Sequence, residues 1–443
     1  MSPTLQRTAL AIALAGAIGF AVAQAPKSDK PAAAPAAPAA QPAAGAPGGP
    51  PIWKQGMPDK MKDSTLAPHA GKNTETPVAE IPLDKLKVPK GFKVEVWAHG
   101  IPGGRMMARN ADGSKVWVGT RTIGRVYEVS SKGDKRETRV LVDKLTQPNG
   151  VAFKDGALYV MAIDKFLRYD GIEKNPNVQP VDITAAFKLP PKQHHNWKFL
   201  QWGPDGKLYV PFGSPCNICE PEAEYAQIRR YNPDGSGMEV VARGVRNSVG
   251  FDFHPQTKEL WFTDNGRDWM GNDGPEDELN RVSKVGEFFG FPYCHANGIP
   301  DPEVKKDKPC DGVTKPVLLM GAHTASLGMR FYSGSMFPAE FKDAVLVARR
   351  GSWNRDKLNG YDVVRINAGK DGKGAKMTPF VAGFMDAHTN KFWGRPVDVL
   401  VMPDGALLVS DEQNGAIYRV SYGDGKAAPA KEAPKAKDTK AKA

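Results

Sequence analysis

One pattern returns six times between about residue 90 and residue 424: a short apolar strand, a tight turn, then a second strand of alternating character. Arg105-Met106-Met107-Ala108 runs through Asp112-Gly113 to Val116-Trp117-Val118, and Asn149-Gly150-Val151-Ala152-Phe153 through Asp155-Gly156 to Leu158-Tyr159-Val160. Phe199-Leu200-Gln201-Trp202 leads through Asp205-Gly206 to Leu208-Tyr209-Val210, and Gly250-Phe251-Asp252-Phe253 through Pro255-Gln256 to Leu260-Trp261-Phe262. Gly328-Met329-Arg330-Phe331 reaches Val345-Leu346-Val347 after an insertion, and Val397-Asp398-Val399-Leu400 passes Asp404-Gly405 to Leu407-Leu408-Val409. Short strands joined by Asp-Gly turns are hairpins, because Gly accepts the positive φ such turns require. Repetition every ~40–50 residues marks a β-propeller. The second strands are spaced by 42, 50, 52, 85 and 62 residues, so the fourth and fifth repeats carry inserted loops. The sequence therefore predicts an all-β, six-bladed β-propeller. Val94-Glu95-Val96-Trp97 lies ahead of the first repeat; an N-terminal strand there would complete the last blade and remove two exposed edges.

The flanks differ in kind. Arg7 precedes an apolar run from Ala9 to Val22 that ends in Ala21-Val22-Ala23-Gln24-Ala25. A charged start, a short apolar stretch and a small-residue exit describe a secretory signal over 1–25, too short to span a membrane. The mature chain is then expected to begin near Gln24 or Pro26 and to be periplasmic or secreted. Residues 26–85 read as an Ala/Pro-rich disordered linker and loose lead-in, 86–424 as the propeller, and 425–443 as a disordered Lys/Ala-rich tail. Of the net charge of +11, six units sit in the first fifty residues and in that tail. The remainder is ordinary for a domain this size, so no nucleic-acid partner is indicated. No transmembrane segment is expected in the mature chain.

In a propeller the first strand of each blade lines the central channel, so equivalent positions converge on one mouth. At the starts of these strands stand Arg105, Asn149, His195, Arg246 with Asn247, His323 and Arg395. Any one of them could be a satisfied polar plug. As a set they form a cationic, hydrogen-bonding ring suited to an anion, because Arg binds carboxylates bidentately.

The stretch His195-Asn196-Trp197-Lys198-Phe199-Leu200-Gln201-Trp202-Gly203-Pro204-Asp205-Gly206 resembles a motif of the soluble quinoprotein glucose and sorbosone dehydrogenases. Gly244-Val245-Arg246-Asn247, Phe262-Thr263-Asp264-Asn265-Gly266, Asp277-Glu278-Leu279-Asn280, Gly290-Phe291-Pro292 and Gly394-Arg395-Pro396-Val397-Asp398-Val399 also fit, in the family's order. The resemblance covers roughly residues 90–422. It implies a propeller that binds pyrroloquinoline quinone (PQQ) and Ca2+ and oxidises aldoses or related aldehydes. It further implies His195 as catalytic base, and Arg246, Asn247, Arg349 and Arg395 as cofactor contacts, with His323 beside them at the mouth. Gly266 and Arg267 fall where backbone carbonyls would hold Ca2+. Val249 stands where the glucose enzymes have Gln, Val397 replaces their second Arg, and Ser248 replaces a Pro; these departures favour the broader sorbosone-type branch.

The residue types suit that chemistry independently. Oxidising a C–OH needs a base for the hydroxyl proton, which His can supply near neutral pH, and a cofactor to accept hydride. No Gly-x-Gly-x-x-Gly follows a strand and no P-loop is present, so a nucleotide cofactor is unsupported. His194 is one residue out of register with Gly203, and alternation turns it away. His254 and His69 read as surface residues. Trp197, Trp269, Trp353 and Trp393 fall in loops near the motifs, suited to stacking or to plain packing. Four Cys in an exported chain allow three pairings, of which two local bridges, Cys216–Cys219 and Cys294–Cys310, are favoured over a metal site. No His follows Cys219, so no c-type haem is attached there, and electrons must leave to a separate acceptor such as a cytochrome c, a quinone or a dye. Two rivals stay open: a Ca2+-dependent lactone hydrolase using Asn149, Asn247 and Asp264, and a non-catalytic binding propeller.

Overall fold

Each repeat becomes one antiparallel sheet. The structure, a computed structural model, describes residues 51–424; the expected signal, the first part of the linker (26–50) and the basic tail lie outside those residues. Blade 1 consists of Gly104–Arg109, Lys115–Thr120, Val126–Lys132 and Lys135–Val142; blade 2 begins with Gly150–Lys154 and Ala157–Met161. Blade 3 begins with Gln201–Trp202 and Leu208–Phe212, blade 4 with Phe251–Phe253 and Leu260–Asp264, and blade 5 with Ser326–Phe331 and Val345–Arg349. Blade 6 takes three strands from the C-terminal repeat, Pro396–Val401, Leu407–Asp411 and Ala416–Tyr422, and its fourth from the N-terminal side, Phe92–His99. That strand pairs antiparallel with Ala416–Tyr422, Val94 opposite Val420, so the ring closes as the sequence predicts.

The turns follow from their residues. In Asp155-Gly156 both residues have positive φ, at 50° and 78°, and Lys154 pairs directly with Ala157. At the other three Asp-Gly corners only the Gly is left-handed. There the carboxylate folds back onto the chain: Asp112, Asp205 and Asp404 accept the N–H groups of Ser114, Lys207 and Ala406 at 2.9, 3.1 and 3.0 Å.

The long steps are excursions, not a hidden seventh blade. After Glu276–Arg281 the chain leaves blade 4 and adds Glu287–Phe288 in parallel to the outer edge of blade 3, beside Glu239–Arg243. It then forms the ribbon Cys294–His295 with Ile299–Pro300 and returns as the outer strand Leu318–Ala322 of blade 4. Both expected disulfides are present, Cys216–Cys219 and Cys294–Cys310.

The lead-in is where the reading from sequence needs correction. Residues 51–85 are an ordered strap, with short 3-10 turns at Ile52–Lys54, Asp59–Met61, Val78–Glu80 and Leu83–Lys85. Ile81 is buried in the core, with Leu83 and Leu86 packed against the same cluster, and Thr76 donates its N–H and its hydroxyl to Asn414. The segment has too few apolar residues, too irregularly spaced, to announce itself, but Ile81, Leu83 and Leu86 have seats on the propeller.

Adjacent blades press together hardest where first strands meet. Asp252 accepts the N–H of Phe331 and Asp398 that of Met107, both at 2.8 Å, each carboxylate reaching across to the next blade. Backbone approaches backbone there: a Cβ on Gly250 would lie 2.1 Å from the carbonyl oxygen of Leu327. Gly250→Ala is therefore expected to cost about 1–3 kcal/mol of folding stability, measured by denaturant unfolding; an unchanged midpoint would mean the blades slide apart freely.

Candidate functional site

A cavity of about 480 Å³ opens at the end of the channel where the first strands begin, within the usual size range of small-molecule sites. Among the residues marked out by sequence, Arg105, His195, Arg246, Asn247, Gly266 and His323 line it. The chain turns into its strands through left-handed residues, with φ of 49° at His195 and 60° at His323. Such conformations cost energy and are held by their surroundings. In blades 4 and 6 a carboxylate ending the second strand fixes the start of the first. Asp264 accepts the N–H groups of Arg246 and Asn247 at 2.9 and 2.6 Å, and Asp411 accepts that of Arg395 at 2.9 Å. Burial pushes the Asp264 carboxyl up to about 7 despite those bonds.

Three expected positions lie elsewhere. Asn149 accepts the Nε–H of Arg105 at 2.9 Å and donates to the Lys198 carbonyl at 2.6 Å, which makes it a strut between first strands. Arg349 faces away from the cavity: it sits directly across from Asp362 on the neighbouring strand and pairs with both its carboxylate oxygens, at 2.7 and 2.6 Å. Strand alternation sends the next residue, Arg350, to the cavity instead. Arg267 is fully buried, its guanidinium at 2.7 Å from both Asp301 and Glu303, and it does not line the cavity.

The cationic ring is tighter than its sequence suggests. Arg105, Arg121, Arg350, Arg395 and Glu412 share a hollow of about 50 Å³ adjoining the main cavity. Glu412 pairs closely with Arg105 and Arg350 and lies 3.5 Å from Arg395. Burial alone would raise the Glu412 carboxyl, but Arg350, Arg105 and Arg395 hold it well below the usual carboxylate range. Arg121 lies 3.7 Å over the Trp197 ring and has no carboxylate partner among the described residues. Four guanidiniums thus face one carboxylate. Burial first, then the neighbouring arginines, lowers Arg121 and Arg395 to about 9. The buried Nε of Arg121 and the Nε and Nη2 of Arg395 lack hydrogen-bond partners among the described residues. Orphaned guanidinium donors beside a cavity with uncompensated positive charge make a seat for a polyanion.

His195 is 7% exposed and its Nδ1 has no partner among the described residues. Burial, followed by His194, Arg246 and Arg121, holds its pKa well below 6.5, so the ring is neutral. His194 lies against it, tilted by 45° with centroids 3.9 Å apart, and is itself lowered to about 3, by burial and then Arg246. His194 also lines the cavity, contrary to the alternation expected for it. His69, expected at the surface, is on the cavity wall; burial and then Arg395 and Arg350 lower it to about 4. His254, also expected at the surface, is buried in its turn and accepts the N–H groups of Gln256 and Thr257.

Arg246 is fully engaged. Its Nε and Nη2 donate to the carbonyl and side-chain oxygens of Asn217 at 3.0 and 2.7 Å, and its Nη1 to the carbonyls of Asn265 and Gly266 at 3.0 and 2.8 Å. The carbonyl expected to hold Ca2+ at Gly266 therefore already carries a guanidinium. A divalent ion on the same oxygen would be repelled by it, and the Arg267 carbonyl is not on the cavity wall. The arrangement does not fit Ca2+, and no step is derived through it. The lactonase set fares no better, since Asn149 lies outside the cavity and Asp264 is committed to backbone N–H groups.

Among the loop tryptophans, Trp393 packs on Phe384 and donates to the Gly383 carbonyl, a structural role. Trp197 and Trp353 line the cavity, joined by Trp53 from the strap. Trp53, His69, Arg121, Arg350 and Glu412 were missed from sequence because none starts a first strand.

A six-bladed propeller with a cationic mouth is the class that fold and site define. The family model described as TrAA12-like matches residues 86–423, and the chain belongs to that family, as the resemblance to the PQQ-dependent sugar dehydrogenases implies. A protein of uncharacterised function from Borreliella burgdorferi is 33% identical over 360 residues, covering 78% of this chain and 93% of that protein. The calcium structure of the Trichoderma reesei family AA12 enzyme superposes with a TM-score of 0.65 at 18% identity, over 76% of this chain and 97% of that one. The holo PQQ domain of pyranose dehydrogenase from Coprinopsis cinerea superposes with a TM-score of 0.60 at 19% identity, over 76% and 97%.

Glu412→Gln keeps the volume of the side chain and removes the charge that Arg105, Arg350 and Arg395 share. It is expected to lower folding stability by about 3 kcal/mol, the scale for stranding buried charges. Denaturant unfolding reads it, and a neutral result would show that water reaches these arginines freely.

Proposed function

We propose that this protein is an exported quinoprotein dehydrogenase that oxidises an aldose or a related sugar aldehyde of the sorbosone type. The observation that carries the reading is a neutral imidazole with an unpartnered Nδ1, in a cavity adjoined by a cluster of four guanidiniums with a single carboxylate. The three positive charges left over match a tricarboxylate quinone, and the orphaned donors of Arg121 and Arg395 supply what its carboxylates need. Arg350 takes the place expected of Arg349. PQQ, when bound, supplies the two-electron acceptor that no side chain can provide.

The chain's own residues do the rest. His195, neutral because it is buried among cations, takes the proton of the substrate hydroxyl as hydride departs. Arg246 anchors the Asn217 loop and the Asn265–Gly266 carbonyls, fixing one wall. Val249 and Val397, where glucose enzymes are polar, are buried in the core and offer no hydrogen bond to a sugar, which supports the broader substrate class. Two disulfides suit an oxidising compartment, and no helix among the described residues is long and apolar enough to cross a membrane. Electrons leave to an external acceptor.

Two measurements test this. Arg350→Gln should weaken PQQ binding at least tenfold, the loss of a charge-assisted contact of about 1.5–3 kcal/mol, whereas Arg349→Gln should leave it near wild type; the reverse order in an absorbance titration would put the cofactor elsewhere. His195→Ala should bind PQQ yet turn over roughly 10²–10⁴-fold more slowly, with His194→Ala mild. Because the His195 pKa is depressed, its base form persists as pH falls through 6.5. The acid limb of the dye-linked rate should therefore lie well below pH 6.5, and a limb centred there would assign the base to another group.

A further inference from the structure

The strap adds an aromatic face to the cavity beside those of the propeller. Ile52 and Trp53 line the cavity together with Trp353. Trp53 is only partly buried, while Trp269 behind it is 4% exposed and donates its indole N–H to the Trp53 carbonyl at 2.6 Å. The Trp353 ring stands edge-on to both, at 5.8 Å from Trp53 and 5.5 Å from Trp269. Two further residues of the strap are tied to the propeller, the first of them to the site through Asn217. Asn217 donates its N–H to the Gln55 side chain at 2.9 Å and its Nδ2–H to the Gln55 carbonyl at 2.7 Å, and Asn217 in turn receives Arg246. The Gly56 carbonyl accepts from Arg267 at 3.4 Å. A tryptophan clamped this firmly from outside the propeller, with part of its surface left open to the cavity, is more than a packing residue.

The cavity is chemically divided. Arg105, Arg121 and Arg350 contribute charge, whereas Ile52, Trp53 and Trp353 contribute flat apolar surface. A quinone tricarboxylate is drawn to the first group. A pyranose ring, with an apolar C–H face and hydroxyls on its rim, is complementary to the second. We propose that Trp53 is the stacking face for the sugar ring, which makes the N-terminal strap a specificity determinant of the site. This rests on the dehydrogenase reading for the identity of the ligand as a monosaccharide.

Trp53→Leu keeps apolar volume but removes the flat face, and Trp53→Phe restores a ring. In PQQ-loaded enzyme, Trp53→Leu should raise KM for glucose, galactose or xylose roughly five- to tenfold, with kcat within about twofold, and Trp53→Phe should regain most of the loss. PQQ affinity by absorbance titration should be unchanged in both variants. Calorimetry with the same sugars on cofactor-free protein should show the same order of affinities. Equal KM and equal calorimetric affinity in Trp53→Leu overturn the proposal. So does a parallel fall in PQQ affinity, which would make Trp53 a wall of the cofactor site, and so does wild-type protein that binds none of these sugars in either assay. Sugar binding that depends on the ring at 53, without any quinone reduction, would instead sink the dehydrogenase reading and leave the stacking face standing.

Discussion

Buried carboxylates that accept main-chain N–H groups, between blades and within them, fix the strand starts from which Arg246, Asn247 and Arg395 project. Asp252 and Asp398 sit at matching places on two first strands and each reaches the backbone of the next blade. Asp264 and Asp411 end two second strands, and each holds the start of its own blade's first strand. A carboxylate bonded to N–H groups in a dry interior is a stronger and more directional tie than a neutral acceptor. Its desolvation is costly, and burial raises the pKa of all four. They are better understood as fixing geometry than as adding net stability. Arg246 and Arg395 inherit that fixity, because their backbones are held before their side chains begin.

How much of this was legible in the sequence follows from what repeats and what does not. The six blades and the closing strand were legible because hairpins impose a period of two within strands and Gly or Asp at their corners. His195, Arg246 and Asn247 were found because they start first strands, and topology alone gathers such positions. Arg349 shows the limit: the motif located the corner of blade 5, but a shift of one residue along a strand exchanges faces. Asp362, directly opposite on the next strand, claims Arg349 and leaves the cavity to Arg350. The strap was illegible for a different reason. Its seats for Ile52, Trp53, His69 and Ile81 are built by residues hundreds of positions away, and no local period records them. Glu412, which organises three arginines, follows a second strand rather than starting a first one, so the search for channel residues passed it by.

The electrostatics of the cavity favour a bound anion at the expense of the empty protein. Arg121 and Arg395 each sit in surroundings that lower their pKa to about 9, through desolvation first and then repulsion from neighbouring cations. Glu412 relieves part of it. The rest remains uncompensated in the protein alone, so a polyanion at the mouth would add stability through ordinary linkage. The same field acts on the histidines. Burial keeps His195 unprotonated and the cationic wall adds to it, and an arriving anion would weaken that wall's influence on the ring.

That coupling sets a constraint on the order of events. Before an anion binds, His195 is neutral chiefly because it is buried, and secondarily because His194, Arg246 and Arg121 oppose its protonation. Anion binding would offset the smaller, charge-based contribution of Arg121, but a ligand in the cavity would leave the ring as buried as before. Of the two effects, the larger one is desolvation. On the proposed function, His195 would therefore stay deprotonated across the change from empty to loaded site, ready to accept the proton of a substrate hydroxyl. A site built the other way round, with a carboxylate beside the histidine, would have held that proton before the substrate came.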